Sequence, residues 1–162
     1  MTSLAALFST AWLISIFTAP FLPTAISTGV YAVGSLVCHQ LADRSFHLGP
    51  YQLPVCARCA GIYSGAAAGA VAVLIQTGVS ARRFTVTPNS RRARWMLVAA
   101  AVPTAMTVVL ETTGLWPTTN VVRAAAGFPL GLVAALVVMS ALATLHYDEC
   151  VPRRPTVPKP PP

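Results

Sequence analysis

The sequence predicts an all-α integral membrane protein, a helical bundle of about four transmembrane helices with an outer-face loop carrying a cysteine cluster. Three observations lead there. Hydrophobic residues make up 55% of the 162 residues, charged residues only 9%, and mean hydropathy is +0.66. A water-soluble domain carries about a quarter charged residues, so lipid must be part of the solvent. The apolar residues also gather into several runs near the roughly 20 residues that a helix needs to cross the hydrocarbon core. Finally, the basic residues stand between and beyond those runs.

The first run, Leu4 to Leu22, contains Trp12, Phe17 and Phe21 and no charge. No Lys or Arg precedes Leu4, so the charged start of a secretory signal is missing and the run reads as a span. Pro20 and Pro23 interrupt it, because proline removes a backbone donor and ends or bends a helix. Thr24 to Val37 is too short and too rich in Gly and Ser to span alone, and reads as an interfacial or packed helix. The second span is Ala60 to Val79. The third is Trp95 to about Thr113, with Glu111 near its end, and the fourth is Val121 to Leu145, with Arg123 near its start. His146 to Cys150 then cap and anchor the last helix. The tail VPRRPTVPKPPP cannot be helical. The expected organisation is one transmembrane bundle domain over 1–150 and a disordered proline-rich cytoplasmic tail over 151–162.

Charge placement sets the expected orientation. Arg82, Arg83, Arg91, Arg92 and Arg94 separate the second and third spans, and Arg153, Arg154 and Lys159 follow the fourth. By the positive-inside rule both regions are cytoplasmic, which puts both termini of a cell-membrane protein inside and the cysteine loop outside. The pI of about 9.9 is explained by this topology and by anionic lipid. No basic face with interleaved aromatics appears, so a nucleic-acid partner is not expected.

The chemistry concentrates between the first two long spans. Cys38-His39-Gln40 is followed, after a short polar loop, by Cys56-Ala57-Arg58-Cys59. Three thiols and an imidazole form the ligand inventory of a four-coordinate Cys3His zinc centre, so Cys38, His39, Cys56 and Cys59 are the expected metal ligands. Adjacent residues such as Cys38 and His39 ligate one ion only where the backbone is not a regular helix. His47 and then Asp43 are the substitutes for His39. The same sulfurs also suit a thiol-disulfide pair at Cys56 and Cys59, or plain buried cysteines. Placement at the start of a span favours thiolates, since unpaired N–H groups and the helix dipole attract anions. Arg58 between the two cysteines adds positive charge, unless it serves only as an interfacial anchor.

Ionisable groups at a membrane boundary are costly unless paired, so Glu111, Arg123 and Arg44 are expected partners across the outer face. If Glu111 instead faces an outward pocket, it becomes the base of a metal-dependent enzyme, with Arg58 and Arg123 as the other candidate catalytic residues. Gly61, Gly65 and Gly69 recur every fourth residue, as do Gly127 and Gly131. Small residues at that spacing let membrane helices approach closely, within the bundle or in a homo-oligomer or partner complex. No Walker loop, GxSxG elbow, Rossmann fingerprint or haem attachment motif is present, which disfavours the common cofactor enzymes.

The run Cys38-His39-Gln40, Arg44-Ser45-Phe46, Leu53-Pro54-Val55-Cys56-Ala57-Arg58-Cys59 and Gly61-Ile62-Tyr63 resembles a family of small prokaryotic membrane proteins known only as a domain of unknown function. The resemblance is dense from Val37 to Gly69 and continues more thinly through Pro103, Gly114, Asn120, Arg123, Gly127 and Gly131. It implies a fold and a site and supplies no reaction.

Overall fold

The computed structural model describes residues 2–79 and 91–150. Arg82, Arg83 and the proline-rich tail with Arg153, Arg154 and Lys159 lie outside the described residues, as do the side chains of His146 to Cys150. Five helices follow in order, with a hairpin between the second and third: α1 Thr2–Thr18, α2 Thr24–Ser35, β1 Ser45–Leu48, β2 Tyr51–Cys56, α3 Ala57–Val79, α4 Arg91–Thr112 and α5 Asn120–Cys150. Four segments are long and apolar enough to cross a membrane: Thr2–Phe21, Ala57–Gln76, Arg91–Thr112 and Asn120–Leu142. They match the four expected spans.

Proline punctuates the entry of the chain. α1 tightens into a 3-10 turn over Ala19–Phe21, and α2 begins directly after Pro23, whose carbonyl accepts from the N–H groups of Ile26 and Ser27. Pro103 and Pro129 are tolerated inside α4 and α5. The Thr104 hydroxyl crosses between these helices to the carbonyl of Ala126 at 2.8 Å, the kind of repair that apolar surroundings reward.

α3 and α5 form the most extensive helix pair, and glycine is the cause. A Cβ at Gly61, Gly65 or Gly69 would run into the α5 carbonyls of Ala124, Phe128 or Leu132, and one at Gly127 or Gly131 into the α3 carbonyls of Arg58 or Ile62. The two stripes thus close on each other within one chain. α1 lies along this pair. At one end Ala6 packs with Ala70, Val73 and Met139, and at the other Ile16 packs with Cys38, Val55 and Ala60. α4 packs on α5. The ends of α1 and α5 that carry the chain termini therefore share one side with the start of α4, and the cysteines lie on the opposite side.

Many large apolar side chains remain exposed to the surroundings, among them Leu4 and Phe8 on α1 and Val98 and Met106 on α4. In water this would be an aggregation hazard, whereas in lipid it is the expected outer surface.

The hairpin is the departure from the expected loop. β1 and β2 pair antiparallel, Ser45 with Cys56 and His47 with Gln52, with an irregularity between Ser45 and His47. Gly49 turns the chain at φ 63°, a left-handed conformation natural to glycine. Leu53 and Val55 are fully buried, so β2 is held by the surrounding helices as well as by its partner strand.

Candidate metal centre and its charged neighbour

The cysteines are brought together by a polar clip between α2 and β2. Gly34 ends the useful length of α2; a Cβ there would crowd the Pro54 carbonyl, so its absence lets β2 run against the helix. The N–H of Cys38 then folds back to the Gly34 carbonyl at 3.0 Å. Gln40 adopts a positive φ of 50°, which is unusual for a residue with a side chain. Its amide repays the strain by donating to the carbonyls of Tyr31 at 2.8 Å and Pro54 at 2.7 Å. Gln52 donates back to the Gln40 carbonyl at 2.6 Å, and the Tyr31 hydroxyl donates to the Gln52 carbonyl. Burial pushes the Tyr31 hydroxyl pKa up, which keeps it a donor.

With the backbone so fixed, the sulfurs of Cys38, Cys56 and Cys59 lie within 4.8 Å of one another. In a tetrahedral zinc site with bonds of 2.3 Å the sulfurs stand about 3.8 Å apart, so a small closure suffices. All three cysteines are free thiols. The backbone N–H of Cys56 donates to the Cys38 sulfur at 3.1 Å. The Cys56 thiol is held down at about 5, chiefly by a hydrogen bond from the Cys59 thiol; burial opposes this, and the backbone N–H groups of Cys59 and Arg58 assist it. Cys56 ends β2 and Cys59 sits in the first turn of α3, as the spacing implied.

The fourth position differs among the candidates. His39 lies outside the three-thiol group, yet it is exposed and lines the cavity of about 310 Å³ that opens beside the thiols. His47 is exposed on β1 opposite Gln52, and Asp43 stands in solvent 3.7 Å from Arg44. Neither lines that cavity.

Behind one wall of the cavity stands Glu111, its side chain only 6% exposed. Its Oε1 accepts from Arg123 Nε at 2.9 Å and from Arg58 Nη2 at 3.2 Å, and the Thr118 hydroxyl donates to the same oxygen. Arg44 Nη1 approaches Oε2 at 3.9 Å. Arg58 therefore turns into the bundle and also donates to the Thr107 hydroxyl at 3.3 Å, where an interfacial anchor would point to headgroups. Arg123 Nη1 donates to Asn120 Oδ1 at 2.7 Å, and Asn120 Nδ2 donates to the carbonyl of the fully buried Ser45 at 2.9 Å. The expected ionic partners thus meet on one carboxylate, and they join α3, α4, α5 and the hairpin. Glu111 does not line the cavity.

Sequence reasoning missed the Gln40–Gln52–Tyr31 clip and the roles of Thr107 and Thr118. A signal for the hairpin was present: Gly49-Pro50 between the alternating runs Ser45–Leu48 and Tyr51–Val55 is strand and turn chemistry.

A family described as a predicted membrane protein, DUF2085, matches residues 38–137, more than half of the chain. The chain belongs to this family. The matched stretch of this DUF2085 member opens on Cys38 and includes Cys56, Arg58, Cys59, Glu111 and Arg123. It is similar to the Uncharacterized protein MJ1492 of Methanocaldococcus jannaschii, 32% identical over 124 residues that cover 76% of this chain and 75% of the relative. No solved structure matches the DUF2085 chain.

Proposed function

We propose that this DUF2085 member is a cell-membrane protein whose Cys38, Cys56 and Cys59 bind one zinc ion at the membrane boundary, with His39 completing a Cys3His set. The observation that carries the reading is the convergence of three thiols from two segments, one of them already accepting a backbone N–H. A Cys3His set is closed, so the metal's first role is structural: it ties the end of α2 to the start of α3 and fixes the cavity wall between them. The exposure of His39 makes it the exchangeable ligand. Glu111 supports this centre through Arg58, and its saturation by cations and a hydroxyl argues against the alternative of a metal-dependent enzyme with Glu111 as base.

The topology proposed with it has both termini cytoplasmic and the centre on the outer face. Its support is that Arg91, Arg92 and Arg94 occupy the end of the bundle opposite the thiols. Residues 1–150 form one bundle domain in this reading, and 151–162 a cytoplasmic tail. Because the glycine stripes are occupied by each other, self-association or a partner protein would use other faces.

A second reading, a membrane thiol-disulfide oxidoreductase using Cys56 and Cys59, draws on their Cys-x-x-Cys spacing at the start of α3. Such relays need a further cysteine pair, and Cys38 is single. Elemental analysis of detergent-purified, reduced protein with a free-thiol count separates the two. One zinc per chain, lost alike in the single Ser variants of Cys38, Cys56 and Cys59 and retained in Cys150→Ser, is expected. Metal-free protein with a Cys56–Cys59 disulfide would replace the zinc reading with the redox one.

A further inference from the structure

The cavity beside the thiols has a second chemistry on its wall. Arg44 and Arg58 both line it, and both have hydrogen-bonding capacity to spare. Arg58 spends Nη2 on Glu111 and Thr107, while its Nε is buried with no acceptor among the described residues. Arg44 stands 3.9 Å from Glu111 and 3.7 Å from Asp43, both beyond hydrogen-bond range, with 46% of its side chain exposed. Three guanidiniums converge on the one buried carboxylate of Glu111. Asp43 is 75% exposed, so water screens what it adds.

The guanidinium fork matches the oxygens of a phosphate group. The volume of about 310 Å³ lies within the usual range of small-ligand sites. The mouth is apolar: Val37 and Leu41 line the cavity and are 63% and 47% exposed, and neighbouring Leu36 is 82% exposed. Polar floor and apolar lip, at the end of membrane-spanning helices, suit an amphiphile whose head is anionic and whose chains stay in lipid.

We infer that this cavity is a binding site for a phosphate-type anion held by Arg44 and Arg58, and that the apolar lip makes a lipid phosphate monoester its source. Cys38, His39, Cys56 and Cys59 line the same cavity, so the anion is held beside the proposed zinc, while the arginines that hold it do not depend on the metal. Three thiolates on one zinc carry net negative charge, and the arginines have to outweigh it.

The test uses the full chain in detergent, with zinc content measured on the same samples so that loss of metal and loss of anion binding are read separately. The midpoint of thermal unfolding is followed against dioctanoyl phosphatidic acid, dioctanoylglycerol and inorganic phosphate. Phosphatidic acid should raise the midpoint saturably and dioctanoylglycerol should not. Inorganic phosphate acting as strongly as phosphatidic acid would uphold the anion site and overturn the lipid source. Arg44→Gln, on a half-exposed side chain that folding tolerates, should weaken the apparent affinity about tenfold, the loss of a charge-assisted bond. Arg44→Lys should retain more of it, and Arg91→Gln at the far end should retain all of it. Equal shifts with phosphatidic acid and dioctanoylglycerol, no shift at all, or an undiminished shift in Arg44→Gln would each overturn the site.

Discussion

Replacing Glu111 by Gln removes the one buried carboxylate on which Arg58, Arg123 and Arg44 converge, while leaving an acceptor of almost the same shape. In wild type Glu111 is 6% exposed, with Arg123 at 2.9 Å and Arg58 at 3.2 Å. The Arg58 and Arg123 side chains are themselves only 19% and 12% exposed, so water solvates the charge left behind poorly. Removing one partner of a buried pair costs about 3–5 kcal/mol, because the remaining charge stays buried and uncompensated. The amide oxygen keeps a hydrogen bond and Arg44 contributes little from 3.9 Å, which places this variant near the lower end, about 3 kcal/mol. For a chain of this length that is a fall of roughly 6–12 °C in the unfolding midpoint. Thermal unfolding in detergent reads it directly, and a cycle with Arg123→Gln should show the double variant less destabilised than the sum of the singles, by about 1 kcal/mol or more. A Glu111→Gln midpoint within 2 °C of wild type, on the scale of about 2–4 °C per kcal/mol, would refute the view that this carboxylate holds α3, α4 and α5 together.

Three further outcomes follow from the geometry. Gly131→Val forces a side chain into the Ile62 carbonyl and should cost about 3 kcal/mol or more in thermal unfolding, whereas Gly29→Ala, with nothing within 4 Å, should be neutral or stabilising by up to about 1 kcal/mol. His39→Ala should weaken zinc retention in a chelator competition, and His47→Ala should not; the reverse would move the fourth ligand to β1. A cysteine at the exposed position 47 should react with membrane-impermeant reagent on intact cells and one at Asn89 only after lysis, while the opposite pattern would invert the orientation.

The spans, and the three cysteines that gather at one end of them, were legible in the residues alone. Transfer from water to lipid is set by local composition, so Leu4–Leu22 and the three later runs were legible without knowing their neighbours, and the helices found differ from them mainly at the ends. Cys56 and Cys59, three apart at a helix start, were equally local. The glycine stripes announced close approach without naming the partner, because small residues on α3 permit contact with any helix; only the tertiary structure showed them closing on α5. It also decided the meeting of Arg44, Arg58 and Arg123 on Glu111, four residues from four segments whose shared need for a counterion appears only when the bundle brings them within reach. Gln40 is the clearest case. In the sequence it is a polar residue after Cys38 and His39, and in the fold its amide ties the Tyr31 and Pro54 carbonyls together, a junction of α2 and β2 that no local pattern announces.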